Sequence, residues 1–153
     1  MTDEYYPPGA FRFSVAVVGA GTALALATGV DGSFQEVSGI EAKIEVESVV
    51  EGGENRFVHQ LPKPAKYSNL VLKRGVVTKG SALADWCGET IGANLAVPIV
   101  MKSILVCLLN DHGMPLIAWG FVNAYPLRWE VSPLDSMANK LLTETLEFSY
   151  NYF

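Results

Sequence analysis

Alternation with a period of two residues governs this chain, and it is clearest from Ile40 to Glu47. Ile40, Ala42, Ile44 and Val46 fall on one side; Glu41, Lys43, Glu45 and Glu47 fall on the other. Successive side chains of a strand point to opposite faces, so the segment reads as a half-buried antiparallel strand with a charged outer row. Glu51-Gly52-Gly53-Glu54-Asn55 follows. Gly and Asn tolerate positive φ, which makes this a turn. Arg56 to Leu61 then resumes an extended pattern, so the two segments form a long hairpin. Pro62 and Pro64 are expected to end it, because proline cannot donate to a ladder.

Strand patterns continue on both sides. Phe11, Phe13, Val15 and Val17 alternate with Arg12, Ser14 and Ala16. Gly19-Ala20-Gly21 reads as a turn into a short second strand. Asn69 to Val77 is a strand with Leu70, Leu72 and Val76 inward. Pro98 to Leu109 and Leu116 to Tyr125 form a second hairpin around Asn110-Asp111-His112-Gly113. Pro126 and Pro133 bracket a loop or edge segment containing Trp129. The last strand puts Leu146, Phe148, Tyr150 and Tyr152 on one face, and a terminus that aromatic is expected to be paired into a sheet. One helix is predicted, capped by Ser81, with Leu83, Trp86, Cys87 and Ile91 at helical spacing and its end near Asn94. The sum is a mainly β chain: an antiparallel β-sandwich or barrel with one packed α-helix and a long extended hairpin. With 153 residues it is expected to be a single domain, 1–153.

Charge narrows the function. The formal net charge is −5, whereas a free-standing nucleic-acid binder is normally basic. Its distribution is uneven. Asp31, Glu36, Glu41, Glu45, Glu47, Glu51 and Glu54 face only Lys43 in the first stretch. From Asn55 to Ala84 there is no acid, and Arg56, Lys63, Lys66, Lys73, Arg74 and Lys79 are all basic. The sign flips at the tip of the hairpin. Two readings follow: two solvated faces, or a self-complementary subunit whose acidic patch meets the basic patch of the next copy. Phe13 to Val30 carries no charge, but Asp3, Glu4 and a lone Arg12 before it are not the basic flank of a signal peptide, so no membrane anchor is expected.

Signals for catalysis are weak. Gly19-Ala20-Gly21 follows a strand, yet a dinucleotide fingerprint needs a third glycine where Leu24 stands. No serine is flanked as G-x-S-x-G. Asp111 and His112 read as turn residues, and His59 as an ordinary hydrogen-bonded histidine. Cys87 and Cys107 are read as buried hydrophobes; two Cys and two His make no metal site, and no cofactor is called for. Glu45 and Glu47 read as a solvated row, not an acid/base couple.

Several blocks, in order, carry a family resemblance. They are Gly32-Ser33-Phe34-Gln35-Glu36-Val37-Ser38-Gly39; Glu51-Gly52-Gly53-Glu54-Asn55-Arg56 with Leu61-Pro62; and Asn69-Leu70-Val71-Leu72-Lys73-Arg74-Gly75. Trp86, Trp119, Asn123-Ala124-Tyr125-Pro126 and Glu144-Thr145-Leu146-Glu147 to Tyr150 complete the set. From about residue 5 to 153 the chain resembles contractile phage tail tube proteins and the inner tube proteins of contractile injection systems. The stretch Val18 to Thr28 departs from that pattern, being longer and richer in alanine.

The resemblance implies a structural, non-enzymatic subunit. Six copies close into a ring whose sheets join across subunit boundaries. Rings stack into a hollow tube, and a contracting sheath drives the tube through a target envelope with cargo in the lumen. Baseplate or spike proteins and terminator proteins sit at the ends. The type VI secretion tube protein is related in fold. The subunit is expected to be made in the cytoplasm and assembled into a phage tail-like particle. Contact candidates between subunits or rings are Glu45, Glu47, Glu51, Glu54, Asn55, Arg56, Lys73 and Arg74. A small-ligand-binding barrel and, on the Gly-x-Gly turn alone, a nucleotide-binding enzyme are the alternatives.

Overall fold

The computed structural model describes residues 12–19, 30–31, 34–53, 56–77, 80–137 and 139–153. In chain order the elements are β1 (Phe13–Val18), β2 (Val30–Asp31), β3 (Phe34–Ser38), β4 (Ala42–Val49), β5 (His59–Tyr67), β6 (Leu70–Gly75), α1 (Ala82–Gly92), β7 (Lys102–Leu109), β8 (Pro115–Val131) and β9 (Thr143–Ser149). Seven strands form one antiparallel sheet in the order β2-β1-β7-β8-β9-β6-β3, and β4 and β5 form a separate two-stranded ribbon. The fold is mainly β with one helix, and the sheet is not closed into a barrel: β2 and β3 are its outer strands.

β8 explains how one sheet makes two layers. Its first half pairs with β7, from Pro115 to Ala124, and its second half pairs with β9, from Tyr125 to Val131. Asn123, between the halves, has φ 52°, and the register shifts on both sides of this point. Such irregularities bend and twist a strand, so the sheet folds over itself here. Val15 and Val17 of β1, Ile104 and Val106 of β7, and Leu70, Leu72, Leu146 and Phe148 of β6 and β9 thereby join one buried cluster. Each such side chain contributes about 1.5–3 kcal/mol when fully buried.

The helix closes one side of this cluster. Ser81 caps it: its Oγ accepts from the Ala84 N–H at 3.0 Å. Leu83, Trp86 and Cys87 are buried, and Trp86 stacks on Phe148 at 5.5 Å between ring centroids. Ile91, expected inward, is exposed, one residue before the helix ends. Cys107 is only partly buried, since it sits on the outer face of β7.

Two expectations about proline are corrected. Pro62 and Pro64 do not end the hairpin; β5 runs through both to Tyr67. Both strands of a two-stranded ribbon are edge strands, so a missing N–H can face outward without loss, and a register shift opposite Pro62 accommodates it. Likewise Pro126 lies inside β8, opposite Phe148, at a register shift, and Trp129 belongs to the strand rather than to a loop. Val76 lies just past β6. Pro98 to Met101 precede β7 as irregular chain, tied down by the Trp86 Nε1–H, which donates to the Val100 carbonyl at 2.9 Å. The aromatic terminus is paired as expected: Val122 bridges to Tyr152, and Phe153 packs on Tyr67, Phe121 and Tyr150.

A charged network crosses the core. Arg74, 1% exposed, donates from Nε to Glu144 Oε1 at 2.5 Å and from a terminal nitrogen to Ser81 Oγ. Its guanidinium lies 5.0 Å from the Phe34 ring centroid. The second Glu144 oxygen accepts from Trp129 Nε1 at 3.0 Å. One arginine thus ties together β3, β6, β9, the second half of β8 and the helix cap. Arg74 is therefore not a surface contact between subunits, contrary to the sequence expectation, because inward and outward residues alternate along β6 and Arg74 falls on the inner row with Leu70 and Leu72.

Two stability outcomes follow. Gly39 has φ +87°, and a Cβ there would lie 1.8 Å from the Asn69 carbonyl oxygen. Gly39→Ala therefore costs about 3 kcal/mol or more, read as a lower urea midpoint. Arg74→Met strands a buried Glu144 and costs about 3–5 kcal/mol, whereas Arg74→Met with Glu144→Leu recovers most of the loss. Equal destabilisation by the single and double variants would contradict the pairing.

Candidate assembly surface

The β4–β5 ribbon is the feature that the rest of the chain does not need. It leaves the sheet after β3 and returns before β6. Its root is a tight crossing at Gly39 and Asn69, where only glycine fits. Glu41 N–H donates to the Gly39 carbonyl at 2.9 Å, Ser68 Oγ donates to Glu41 Oε2 at 2.8 Å, and the Tyr150 hydroxyl donates to the Gly39 carbonyl at 3.3 Å. Burial pushes the Tyr150 phenol above its ordinary value, with Tyr67 and Glu41 adding to the shift. Beyond this root the ribbon stands off as an arm, about 25 Å long for eight residues of strand.

Register sorts its side chains onto two faces. Val46 lies opposite Pro62, Glu47 opposite Leu61, and Val49 opposite His59. On the charged face the acids and bases meet within the arm. Lys66 Nζ lies 2.8 Å from Glu45 Oε2, Lys63 Nζ 3.6 Å from Glu47 Oε2, and His59 Nε2 3.6 Å from Glu51 Oε2. Lys66, through its hydrogen bond and then its charge, holds the Glu45 carboxyl below the usual carboxylate range. The sign flip along the sequence is thus the sign difference between two paired strands. Such exposed pairs are screened by salt and stabilise weakly.

The other face is the surprise. Ile44 is 62% exposed and Val46 51% exposed, although their alternation predicts a buried row. The half-buried reading fails among the described residues, because no described element lies over the arm. Val50, Phe57 and Val58 near the tip are exposed too. An apolar row of this length on a projecting ribbon is a surface that wants a partner.

The remaining contact candidates are placed as follows. Lys73 lies on the outer face of β6, opposite Glu36 of β3 and Thr145 of β9. Arg56 is exposed near the tip. Glu54 and Asn55 lie outside the described residues. So do residues 20–29, which include Ala20 and Gly21 of the Gly-x-Gly turn on which the nucleotide alternative rests. Among the described residues no three His, Cys, Asp or Glu side chains gather to hold a metal, and no helix is long and apolar enough to cross a membrane. Asp111 and His112 lie in the β7–β8 turn, where the Asn110 side chain accepts from the His112 and Met114 N–H groups at 3.0 and 2.8 Å. The arm's apolar row was legible in the alternation; what the sequence reading missed was that no described residue covers it.

Comparison with known proteins converges on one family. No curated protein matches the chain. Among solved structures, a chain of the anti-feeding prophage baseplate is 26% identical, with TM-score 0.78, over 95% of this chain and 93% of that one. A chain of an extracellular contractile injection system, from the PVC sheath–tube complex in its extended state, has TM-score 0.75 at 23% identity, over 97% and 90% of the two chains. Hcp1 from Flavobacterium johnsoniae shares the fold at TM-score 0.52 and 16% identity, over 90% and 89%. The profile of the family described as T4-like virus tail tube protein gp19 matches residues 9–153. The apolar arm, the open sheet and a match over nearly the whole length agree: the chain belongs to the T4-like virus tail tube protein family and is a structural tube subunit.

Proposed function

We propose that six copies close into a ring, that rings stack into a hollow tube, and that this tube is the inner conduit of a phage tail-like contractile particle. The observation that carries the reading is the apolar face of the β4–β5 arm, which no described residue covers. The open edges at β2 and β3 support it as well: an unpaired strand is a template for another chain, and closing a ring removes the edge. The related chains come from a baseplate and from a sheath–tube complex, which supports a sheath around the tube and end proteins at its tips. Cargo passes through the bore. The subunit is made in the cytoplasm as one tail-tube domain and works without an active site.

Within this reading Glu45 and Glu47 set the shape of the arm through Lys66 and Lys63, and Ile44 and Val46 supply the contact. Glu51, Glu54, Asn55 and Arg56 are proposed to contact a neighbouring copy, and Lys73 lies on the outer sheet face. Ile44→Asp with Val46→Asp leaves the protomer folded, since both side chains already face solvent, and lowers tube formation at least tenfold. Negative-stain electron microscopy and sedimentation check this. Full-length tubes from the double variant would contradict the role of the arm.

A further inference from the structure

We propose that the uncharged outer face of β1, β7 and the first half of β8 is the wall of the bore, so that the conduit passes cargo without regard to its charge. The proposal rests on the tube reading above and assigns the cargo-facing surface within it.

Strand register reveals an asymmetry between the two layers. In the layer of β1, β7 and the first half of β8, Val15, Ile104, Val106 and Phe121 join the core. The residues that alternate with them point away from it. Ser14 pairs with Cys107 and Cys107 with Ala118; Ala16 pairs with Leu105 and Leu105 with Gly120. None of these six is charged, and none is larger than leucine. The other layer is the reverse. On its outer face Lys73 pairs with Glu36 and Thr145, Thr145 with Glu130, and Glu147 with Arg128. Of those six residues only Thr145 is uncharged.

A two-layered subunit built into a ring turns one outer face to the bore and the other to the surroundings. Charge says which is which. The outside of a particle meets water and other proteins, where mixed charges keep it soluble. A narrow channel with charged walls focuses its field on whatever passes, holding one sign of cargo and repelling the other. An uncharged wall does neither. Side-chain size argues against the other use of such a face, a contact between copies. Interface centres favour aromatic residues, methionine and arginine that fill pockets, and these six positions have none. Ala118 and Gly120 are exposed, and Cys107 beside them is partly buried. A flat wall of short side chains gives a moving polymer little to catch on.

Cys107 reports on the wall, because it lies on this face and the other thiol, Cys87, is buried. Preformed wild-type tubes are treated with biotin maleimide, a reagent small enough to diffuse along the bore, and then with streptavidin-coated gold wider than the tube. Cys107 is expected to take the label while the sides of intact tubes stay free of gold, and the same chains are expected to bind gold once the tubes are dissociated. Gold along the sides would overturn the proposal by placing the face outside. Tubes that leave the thiol unlabelled, from a protomer that labels, would overturn it by burying the face between copies. Ala118→Cys in a Cys107→Ser chain is expected to repeat the pattern one strand over, and decides the matter if Cys107 proves unreactive even in the protomer. Charge is tested with Ala118→Lys, whose tubes are expected to retain a labelled acidic peptide about tenfold more than wild-type tubes do. Equal retention would show that passing cargo does not meet this face. A wild-type chain that makes no tubes would instead sink the tube reading itself.

Discussion

A two-stranded ribbon cannot hold itself together well in water, and that constraint shapes this molecule. A lone hairpin has one ladder, two edges and little to bury. Here the ribbon is held chiefly at its root, and its charged face adds weak, salt-screened pairs. The root admits only glycine at position 39 and is fastened by Glu41, Ser68 and Tyr150. The charged face pairs acids of β4 with bases of β5. Neither device covers Ile44 and Val46. No described residue of the chain covers the apolar face, and the proposed tube built from copies of that chain would supply the cover.

The body of the protein provides the opposite quality. The Arg74–Glu144 pair reaches five elements through Ser81, Phe34 and Trp129, in a core otherwise filled by leucine, valine and aromatic side chains. A buried pair of this kind adds little net stability over well-packed hydrophobes. It does penalise any shift in which β6 slides against β9, since a slip of β6 by one residue would turn Arg74 outward with Leu70 and Leu72 and leave Glu144 buried without its partner.

Much of this was readable from residue order. The alternation from Ile40 to Glu47 located the arm, Glu51 to Asn55 its tip, and Ser81 with Leu83, Trp86 and Cys87 the helix. The failures have physical causes. Pro62, Pro64 and Pro126 looked like strand ends because a proline is costly in a central strand; all three lie at edges or register shifts, where it is not. Arg74 looked like a surface charge because nothing local announces that Glu144, seventy residues away, is buried beside it. The opposed charges of β4 and β5 left two readings open, solvated faces or attraction between copies; the fold adds that the antiparallel hairpin pairs several of them within the arm.

The central claim is that the arm's apolar face is bare in the protomer and covered in the assembly. Hydrogen exchange of the β4 and β5 amides, followed residue by residue before and after polymerisation, tests it most directly. The account predicts fast exchange along the arm in the isolated chain, against slow exchange in β6 and β9, and protection rising to match those strands once tubes form. Arm amides that exchange at the same rate in both states would contradict it.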